Sequence, residues 1–337
     1  MKRLDHSVAV VTGASSGIGR ATALAFARRG AAVALVARRE HALSLVAQEC
    51  RELGAEALVL PADVADHAAI ESVAQEAAGT YGRIDVWVNN AAVNLFANLE
   101  EAPVAAWHGV VQTNLFGTYH GLRAALPWMR EQGSGVIVNV SSVLGKIASP
   151  YQSAYVASKH AVRALSDSVR QEVGDVPGIS VCTVLPGPVD TPLFERAGNY
   201  TGRAIKPVKP VLSAERVAEA IVGCARSPRR EVIVGGSTAQ ALLANRISPT
   251  LAERVAARQV ASDHFGRSPA APAPGNVLEP QAGEPTTVSG GWSRTSGAKG
   301  ASDPQTASNS GRGLRRALVG TGLAAAAYAG LRWLRRS

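Results

Sequence analysis

The chain has 337 residues, of which 46% are hydrophobic, and a formal net charge of +9. This is enough for one large α/β core plus additional segments. Residues 267–337 contain nine Arg and Lys against three Asp and Glu, so most of the surplus charge lies outside the first 266 residues. That distribution argues against a nucleic-acid surface on the core.

The cysteines argue against two further classes of protein. Cys50, Cys182 and Cys224 are far apart and form no CxxC pair or metal-ligand spacing. An odd, scattered set does not suit a disulfide framework either. We therefore expect no metal site and a reducing, cytoplasmic location.

The chain opens with a strand, a tight turn and a helix. The apolar run at residues 8–11 leads into Gly13, and residues 17–29 have a helical pattern that includes Gly17 and Gly19. Glycines let the backbone approach a pyrophosphate, which the helix N-terminus then faces. Such a pattern alone is weak evidence, but its position after the first strand favours a dinucleotide site.

The end of the second predicted strand bears on cofactor choice. Residues 32–36 are apolar and are followed by Ala37, Arg38 and Arg39. NAD enzymes place an acid here for the ribose 2′-hydroxyl, whereas guanidinium groups suit a 2′-phosphate. The sequence therefore predicts NADP(H). NAD(H) remains the alternative, with the two arginines simply beginning the next helix in solvent.

A candidate catalytic group follows the apolar run at residues 136–140, which is typical of a buried parallel strand. Ser142 comes directly after it, and Tyr155 and Lys159 share one face of a predicted helix at residues 154–170. An ammonium beside a phenol favours phenolate and lowers its pKa. Tyr155 would then exchange protons with an alcohol or carbonyl near neutral pH, while Ser142 hydrogen-bonds the same oxygen.

Short motifs are spread over roughly residues 7–235. They are Thr12-Gly13-Ala14-Ser15-Ser16-Gly17-Ile18-Gly19, Asp63-Val64, Asn89-Asn90-Ala91, Asn114, Ser142, Tyr155-Val156-Ala157-Ser158-Lys159 and Pro186-Gly187. Together they resemble the classical short-chain dehydrogenase/reductase family, in a form with a long C-terminal extension. The resemblance implies a single, doubly wound α/β domain of Rossmann type, with a parallel sheet and helices on both faces.

The resemblance also implies roles for individual residues. Tyr155 would donate or accept the proton, Ser142 would polarise the carbonyl, and Lys159 would bind the nicotinamide ribose and lower the Tyr155 pKa. Asn114 would kink its helix and hold a relay water beside Lys159. Asp63 would contact the adenine. The cofactor contacts that it implies, together with the two arginines, are Gly13, Ser15, Ser16, Gly17, Ile18, Gly19, Arg38, Arg39, Asp63, Val64, Asn90, Ala91, Tyr155, Lys159, Pro186, Gly187, Val189 and Thr191.

The predicted function is an NADP(H)-dependent oxidoreductase that transfers a hydride between the nicotinamide and an alcohol/carbonyl pair. Residues 192–211 contain several turn-forming residues and suggest a lid over the substrate. An apolar pocket is suggested by Leu95, Phe96, Leu193 and Phe194, for which core packing is the other interpretation. The alternative functions are an NAD-linked alcohol dehydrogenase of the same family and a non-catalytic dinucleotide-binding module.

The C-terminal part divides by composition. The catalytic domain should span residues 1–266 and include helical material at 239–260. Residues 267–313 are rich in Pro, Gly, Ser and Thr and predict a disordered linker. Residues 314–337 predict a short helix whose apolar run is below the roughly 20 residues of a membrane span. Its basic flanks leave membrane-surface contact, docking on protein and a loose end open. The family resemblance also implies a homo-oligomer and a small-molecule substrate.

Overall fold

A computed structural model describes residues 3–281, 283 and 286–293, and its core is a parallel sheet of seven strands in the order β3-β2-β1-β4-β5-β6-β7. The strands are β1 Val8–Thr12, β2 Ala32–Ala37, β3 Ala57–Pro61, β4 Val86–Asn89, β5 Gly135–Val140, β6 Ile179–Pro186 and β7 Glu231–Val234. The order reverses between β1 and β4, so this is a doubly wound sheet with a switch point there. The predicted fold class is confirmed.

Helices connect the strands and cover both faces of the sheet. Within the described residues they are α1 Gly17–Ala27, α2 Glu40–Glu52, α3 His67–Tyr81, α4 Val104–Val111, α5 Gly117–Gln132, α6 Ser153–Glu172, α7 Ala214–Arg226, α8 Gly236–Ile247 and α9 Pro249–Gln259. A π-helical turn, Gln112–Phe116, joins α4 to α5, and a second one, Val260–His264, follows α9.

The strands are apolar throughout because both faces are covered. Every residue of β1 and β5 is buried. One core cluster includes Phe26, Leu43 and Ile221, which come from α1, α2 and α7. A second cluster includes Ile70 and Met129, from α3 and α5. Continuous apolar runs are the pattern expected for strands buried between two helical layers.

The helical material after the last strand differs from the single stretch predicted at residues 239–260. It forms α8 and α9, with Ser248 between them and Pro249 as the first residue of α9. Proline lacks a backbone N–H and clashes with the preceding turn, but it suits the first position of a helix. Pro249 therefore ends one helix and begins the next.

Residues beyond 266, where the catalytic domain was predicted to end, also pair with the core. Phe265–Pro269 pairs antiparallel with Arg203–Ile205, and Asn199 bridges Ala273. The Asn276 N–H donates to the Arg196 carbonyl at 2.9 Å. The extended, Pro-rich segment thus places its backbone hydrogen bonds on the core, which composition does not reveal. The rest of the predicted linker from residue 294 and the predicted helix at 314–337 lie outside the described residues.

No helix in the described part of the chain is both long enough and apolar enough to cross a membrane.

Candidate active site

A cavity of about 340 Å³ opens at the carboxyl ends of the parallel strands. This is the edge of a doubly wound sheet where ligands bind. The cavity is lined by every predicted site residue except Gly19 and Asn114. The predicted cofactor-binding and catalytic residues therefore share one space.

The glycine-rich turn after β1 is shaped by close contacts. Gly13 has φ +66°, in the left-handed region, and a Cβ at Gly19 would lie 2.1 Å from the Gly13 carbonyl oxygen. Only glycine allows the first turn of α1 to approach the loop this closely. Gly19 thus shapes the turn by its contact with Gly13, although it does not line the cavity.

Thr12 connects the ends of β1 and β4 beneath the cavity. Its Oγ1 accepts hydrogen bonds from the N–H groups of Asn90 at 2.9 Å and Ala91 at 3.1 Å. The Asn90 Nδ2 donates to the Thr12 carbonyl at 2.9 Å. Because its amide is engaged in this way, Asn90 shapes the cavity wall. Thr12 belongs to the glycine-rich motif, but no role was predicted for it.

Arg38 lies at the end of β2, where a 2′-phosphate group was predicted to bind. Its Nη2 donates to the Asn276 carbonyl at 2.8 Å and its Nη1 to the Leu278 carbonyl at 3.2 Å. A carboxylate oxygen of Asp63 stands 3.9 Å from Nη1. Arg39 also lines the cavity and precedes α2. The two guanidinium groups are thus placed at the cavity, although segment 276–278 of the chain engages one of them.

A second stretch of the C-terminal segment contacts the glycine-rich turn. The Gly17 N–H donates to the Thr287 carbonyl at 3.0 Å, and Arg20 donates to the Thr286 carbonyl. The carboxylate of Asp190 accepts from the Ser293 hydroxyl at 2.6 Å and from the Trp292 N–H at 2.9 Å. Residues 286–293 therefore lie on the loops that line the cavity.

Tyr155 and Lys159 lie on the cavity side of α6. Their exposed fractions are 8% and 2%. The Lys159 Nζ donates to the Val140 carbonyl at 2.9 Å and lies 5.5 Å from the centre of the Tyr155 ring. Ser142 hydrogen-bonds the Tyr155 side chain. The three groups thus form one cluster at the end of β5.

Burial dominates the proton equilibria of this cluster. It raises the pKa of Tyr155 to about 12, although the hydrogen bond with Ser142 acts in the opposite direction. Burial also lowers the pKa of Lys159 to about 8. The direction for Tyr155 is opposite to that predicted, because removal from water disfavours phenolate more than the local hydrogen bond favours it.

Asn114 is fully buried in the π-helical turn Gln112–Phe116 and does not line the cavity. Its Oδ1 accepts from the Val93 N–H at 2.9 Å, and its Nδ2 donates to the Val93 carbonyl at 3.0 Å and to Ser158 Oγ at 3.1 Å. The amide therefore ties the loop after β4 to α6. The helix departs from α geometry at this residue, as the family resemblance implies, while its relay role stays a prediction.

The cavity wall beyond Tyr155 is apolar, and two of the four predicted pocket residues lie on it. Leu193 and Phe194 line the cavity, whereas Leu95 and Phe96 are buried and do not. Packing is thus the role of the second pair. Further apolar side chains on this wall are Leu144, Ile147, Val208 and Val260.

Gln152 and His264 are polar residues that lie on the apolar wall. The Gln152 Nε2 lies 3.3 Å from Nε2 of His264, whose Nδ1 lies 2.5 Å from the Lys206 carbonyl. A carbonyl only accepts, so Nδ1 carries the ring proton and Nε2 accepts from Gln152. Burial lowers the pKa of His264 and favours this neutral form. The histidine was not predicted, because its contact with Gln152 joins residues far apart in the sequence.

Arg196 is a further cavity residue that was not predicted. It follows the Pro186–Thr191 segment, is only 7% exposed, and its Nη1 donates to the Ser16 hydroxyl at 3.0 Å. The one available signal was a lone arginine in an irregular segment just after the Pro-Gly motif. It brings a positive charge to the glycine-rich turn.

Comparison with known proteins agrees with this architecture. The family model for short chain dehydrogenase matches residues 7–200. The uncharacterized oxidoreductase YxnA of Bacillus subtilis is 34% identical over 258 residues, covering 76% of this chain and 72% of that protein.

Two solved structures are similar as well. A short chain dehydrogenase/reductase from Burkholderia phymatum, in complex with NAD, has a TM-score of 0.68 and 27% identity, with 74% of this chain and 96% of that one covered. An alcohol dehydrogenase from the archaeon Thermococcus sibiricus, complexed with 5-hydroxy-NADP, has a TM-score of 0.60 and 32% identity, with 68% and 95% covered. The chain belongs to the short-chain dehydrogenase/reductase family of oxidoreductases.

Proposed function

We propose that the protein is an NADP(H)-dependent oxidoreductase that transfers a hydride between the nicotinamide and an alcohol/carbonyl pair. The observation that carries this proposal is that Ser142, Tyr155 and Lys159 line the same cavity as the glycine-rich turn. A proton-transfer group and a dinucleotide cradle in one space are what such a reaction needs.

The residues present fit a dinucleotide. The turn has no room for a Cβ at Gly19, and its N–H groups begin α1, where an anion is favoured. The bound nicotinamide would supply or accept the hydride. The protein's own groups would bind the phosphates, orient the ring and handle the proton.

In the reducing direction, the Tyr155 hydroxyl donates its proton to the carbonyl oxygen as that oxygen gains charge. Ser142, which hydrogen-bonds Tyr155, donates to the same oxygen and holds it in place. Lys159 is protonated below its pKa of about 8 and adds positive charge next to the ring. These groups favour the charge that develops in the transition state.

The preference for NADP(H) rests on Ala37, Arg38 and Arg39. The similar solved structures contain NAD in one case and an NADP derivative in the other, so family membership leaves the choice open. Both guanidinium groups line the cavity, and the position that would take an acid holds Ala37. A 2′-phosphate would be matched by these donors.

The substrate side supports an apolar, neutral molecule. Leu193, Phe194 and Val260 line it together with the neutral Gln152 and His264. A carboxylate substrate would need a cation here. Neutral ketones or aldehydes with an apolar body, and their alcohols, are therefore the proposed class.

The test is turnover of a panel of neutral aldehydes, cyclic ketones and sterol ketones, followed as NADPH consumption by the full-length protein. Matched carboxylate-bearing ketones form the comparison set. We expect turnover of neutral apolar members and a higher kcat/KM with NADPH than with NADH. No turnover with either cofactor, in a protein that binds NADPH, would favour the non-catalytic binding module.

Location and assembly are proposed on the resemblance and the sequence. We propose a cytoplasmic homo-oligomer, to be checked by light scattering of the purified protein.

For residues 314–337 we propose contact with an anionic membrane surface, on the basis of their basic flanks. Co-sedimentation of the full-length and 1–313 proteins with anionic vesicles, at low and high salt, tests it, and equal sedimentation would end it.

A further inference from the structure

We infer that Arg196 binds the pyrophosphate of the dinucleotide and so acts on NAD(H) and NADP(H) alike. The inference rests on the proposed function, because it concerns the same cofactor. It assigns to the irregular segment after β6 a charged ligand for the phosphates, in addition to the backbone N–H groups of the glycine-rich turn.

Hydrogen bonds at both its N–H group and its carbonyl group fix the backbone of Arg196. Its N–H donates to the Pro192 carbonyl at 3.2 Å, and its carbonyl accepts from the Asn276 N–H at 2.9 Å. The side chain is nearly buried, and Nη1 donates to Ser16 Oγ at 3.0 Å. A guanidinium that is fixed in this way is ready to form bonds without further ordering.

The contact with Ser16 places positive charge where a helix already has it. Ser16 is the N-cap residue of α1, and its side chain makes no capping hydrogen bond. Its hydroxyl accepts from Arg196 instead. Helix N-termini carry partial positive charge and favour anions, and a guanidinium group also attracts them. An anion bound between α1 and Arg196 would therefore contact two positive groups.

The pyrophosphate is the anion that suits this place. The Gly17 N–H already donates to an oxygen, the Thr287 carbonyl, at 3.0 Å. A phosphate oxygen would accept from the same N–H, and the planar guanidinium would pair with neighbouring phosphate oxygens. Arg38 stands at the end of β2 with Asp63 and would serve the 2′-phosphate. The two arginines would then divide the phosphates between them.

The other reading is that Arg196 only anchors its loop to Ser16. The two readings differ in what a substitution changes. Loss of an anchor would lower the stability of the protein and its affinity for every bound molecule. Loss of a residue that binds the pyrophosphate would lower the affinity only for molecules that carry a pyrophosphate. The test therefore compares ligands that share an adenosine and differ in their phosphates.

The experiment measures dissociation constants by calorimetry for ADP, 2′-AMP, NADH and NADPH, with the full-length protein and the variants Arg196→Gln and Arg38→Gln. ADP has a pyrophosphate and no 2′-phosphate, and 2′-AMP has the reverse. We expect Arg196→Gln to weaken ADP, NADH and NADPH by a similar factor of about ten to a hundred, the range of a charge-assisted hydrogen bond, and to leave 2′-AMP nearly unchanged. Arg38→Gln should give the opposite pattern with ADP and 2′-AMP.

A second variant keeps the test decisive if Arg196→Gln does not fold. Arg196→Lys retains the charge and loses the planar fork, so it should give a smaller loss with the same ligand pattern. Unchanged ADP affinity in a folded variant, or equal losses for ADP and 2′-AMP, would overturn the inference. A wild-type protein that binds neither NADH nor NADPH would instead refute the proposed function, and the inference with it.

Discussion

Lys159 lies beside the ring of Tyr155, with its Nζ 5.5 Å from the ring centre, and donates a hydrogen bond to the Val140 carbonyl at the end of β5. The two side chains are one helical turn apart on α6, and both are buried. Strand β5 thus fixes the ammonium, and the ammonium flanks the phenol. This arrangement makes both groups sensitive to pH and to substitution in predictable ways.

Tyr155→Phe should remove the proton donor and leave the ring in place. We expect kcat to fall at least about 100-fold, the usual contribution of a positioned acid, with the dissociation constant for NADPH nearly unchanged. Steady-state kinetics on an accepted carbonyl, with NADPH binding followed by fluorescence, measure both. Tyr119→Phe, at an exposed position on α5, is the control. Turnover retained by the Tyr155 variant would remove Tyr155 from the proposed mechanism.

Lys159→Met should stabilise the fold at neutral pH while it impairs turnover. Burial lowers the Lys159 pKa from 10.5 to about 8, so the folded state holds this proton less tightly than the unfolded state. Below pH 8 the wild type bears the full burial cost of the ammonium, and its stability rises from pH 8 towards 10.5 as the folded protein loses the proton first. A pKa shift of this size corresponds to a destabilisation of the wild type by about 3 kcal/mol below pH 8. The variant avoids this cost but loses the hydrogen bond to the Val140 carbonyl, which contributes about 1 kcal/mol.

Urea unfolding at pH 7 and pH 9.5 checks this prediction. The variant should be more stable than the wild type by about 2 kcal/mol at pH 7, and the gap should narrow at pH 9.5. Tyr155 titrates in both proteins, so its contribution largely cancels from the comparison. A variant that is less stable than the wild type at pH 7 would contradict the burial argument.

Local patterns predicted much of this molecule, and long-range contacts account for the rest. Strand β5 covers the apolar run predicted at residues 136–140, and most of the glycine-rich turn lines the cavity, because both features depend on neighbouring residues. Arg196 reaches Ser16 across 180 positions of the chain, and no periodicity reports such a contact. The Tyr155 pKa was predicted in the wrong direction because spacing reveals the neighbouring charge and not the depth of burial.

Arg38→Gln should change cofactor preference. The guanidinium stands at the cavity beside Asp63, where a 2′-phosphate would bind. We expect the affinity for NADPH to fall about ten- to a hundredfold, because a charge-assisted hydrogen bond is lost, while the affinity for NADH changes little. Competition binding with both cofactors measures the ratio, and Arg28→Gln, at an exposed position just after α1, is the matched control. Equal losses for both cofactors would contradict a 2′-phosphate role.

Removal of the C-terminal segment should strengthen dinucleotide binding. The Gly17 N–H, a donor that the pyrophosphate would use, is engaged by the Thr287 carbonyl at 3.0 Å, and residues 289–293 fix this stretch to Asp190. A dinucleotide must displace that carbonyl before it can accept from the same N–H. A protein ending after Pro280 retains the buried Val277 and lacks the competing carbonyl. Its affinity should rise by up to about tenfold, the equivalent of one net hydrogen bond.

The matched control for this truncation is a protein that ends after Ser293, which keeps every described contact of the segment. NADH and NADPH affinities of the two proteins, measured by calorimetry, should differ by a similar factor, because the pyrophosphate is common to both cofactors. A gain confined to NADPH would rule out competition at the Gly17 N–H, because both cofactors carry the pyrophosphate, and would not reflect release of Arg38, whose Asn276 and Leu278 partners both proteins retain. Equal affinities in the two proteins would mean that displacement of the Thr287 carbonyl from the Gly17 N–H costs nothing. Weaker binding in the shorter protein would mean that the removed segment supports the bound cofactor.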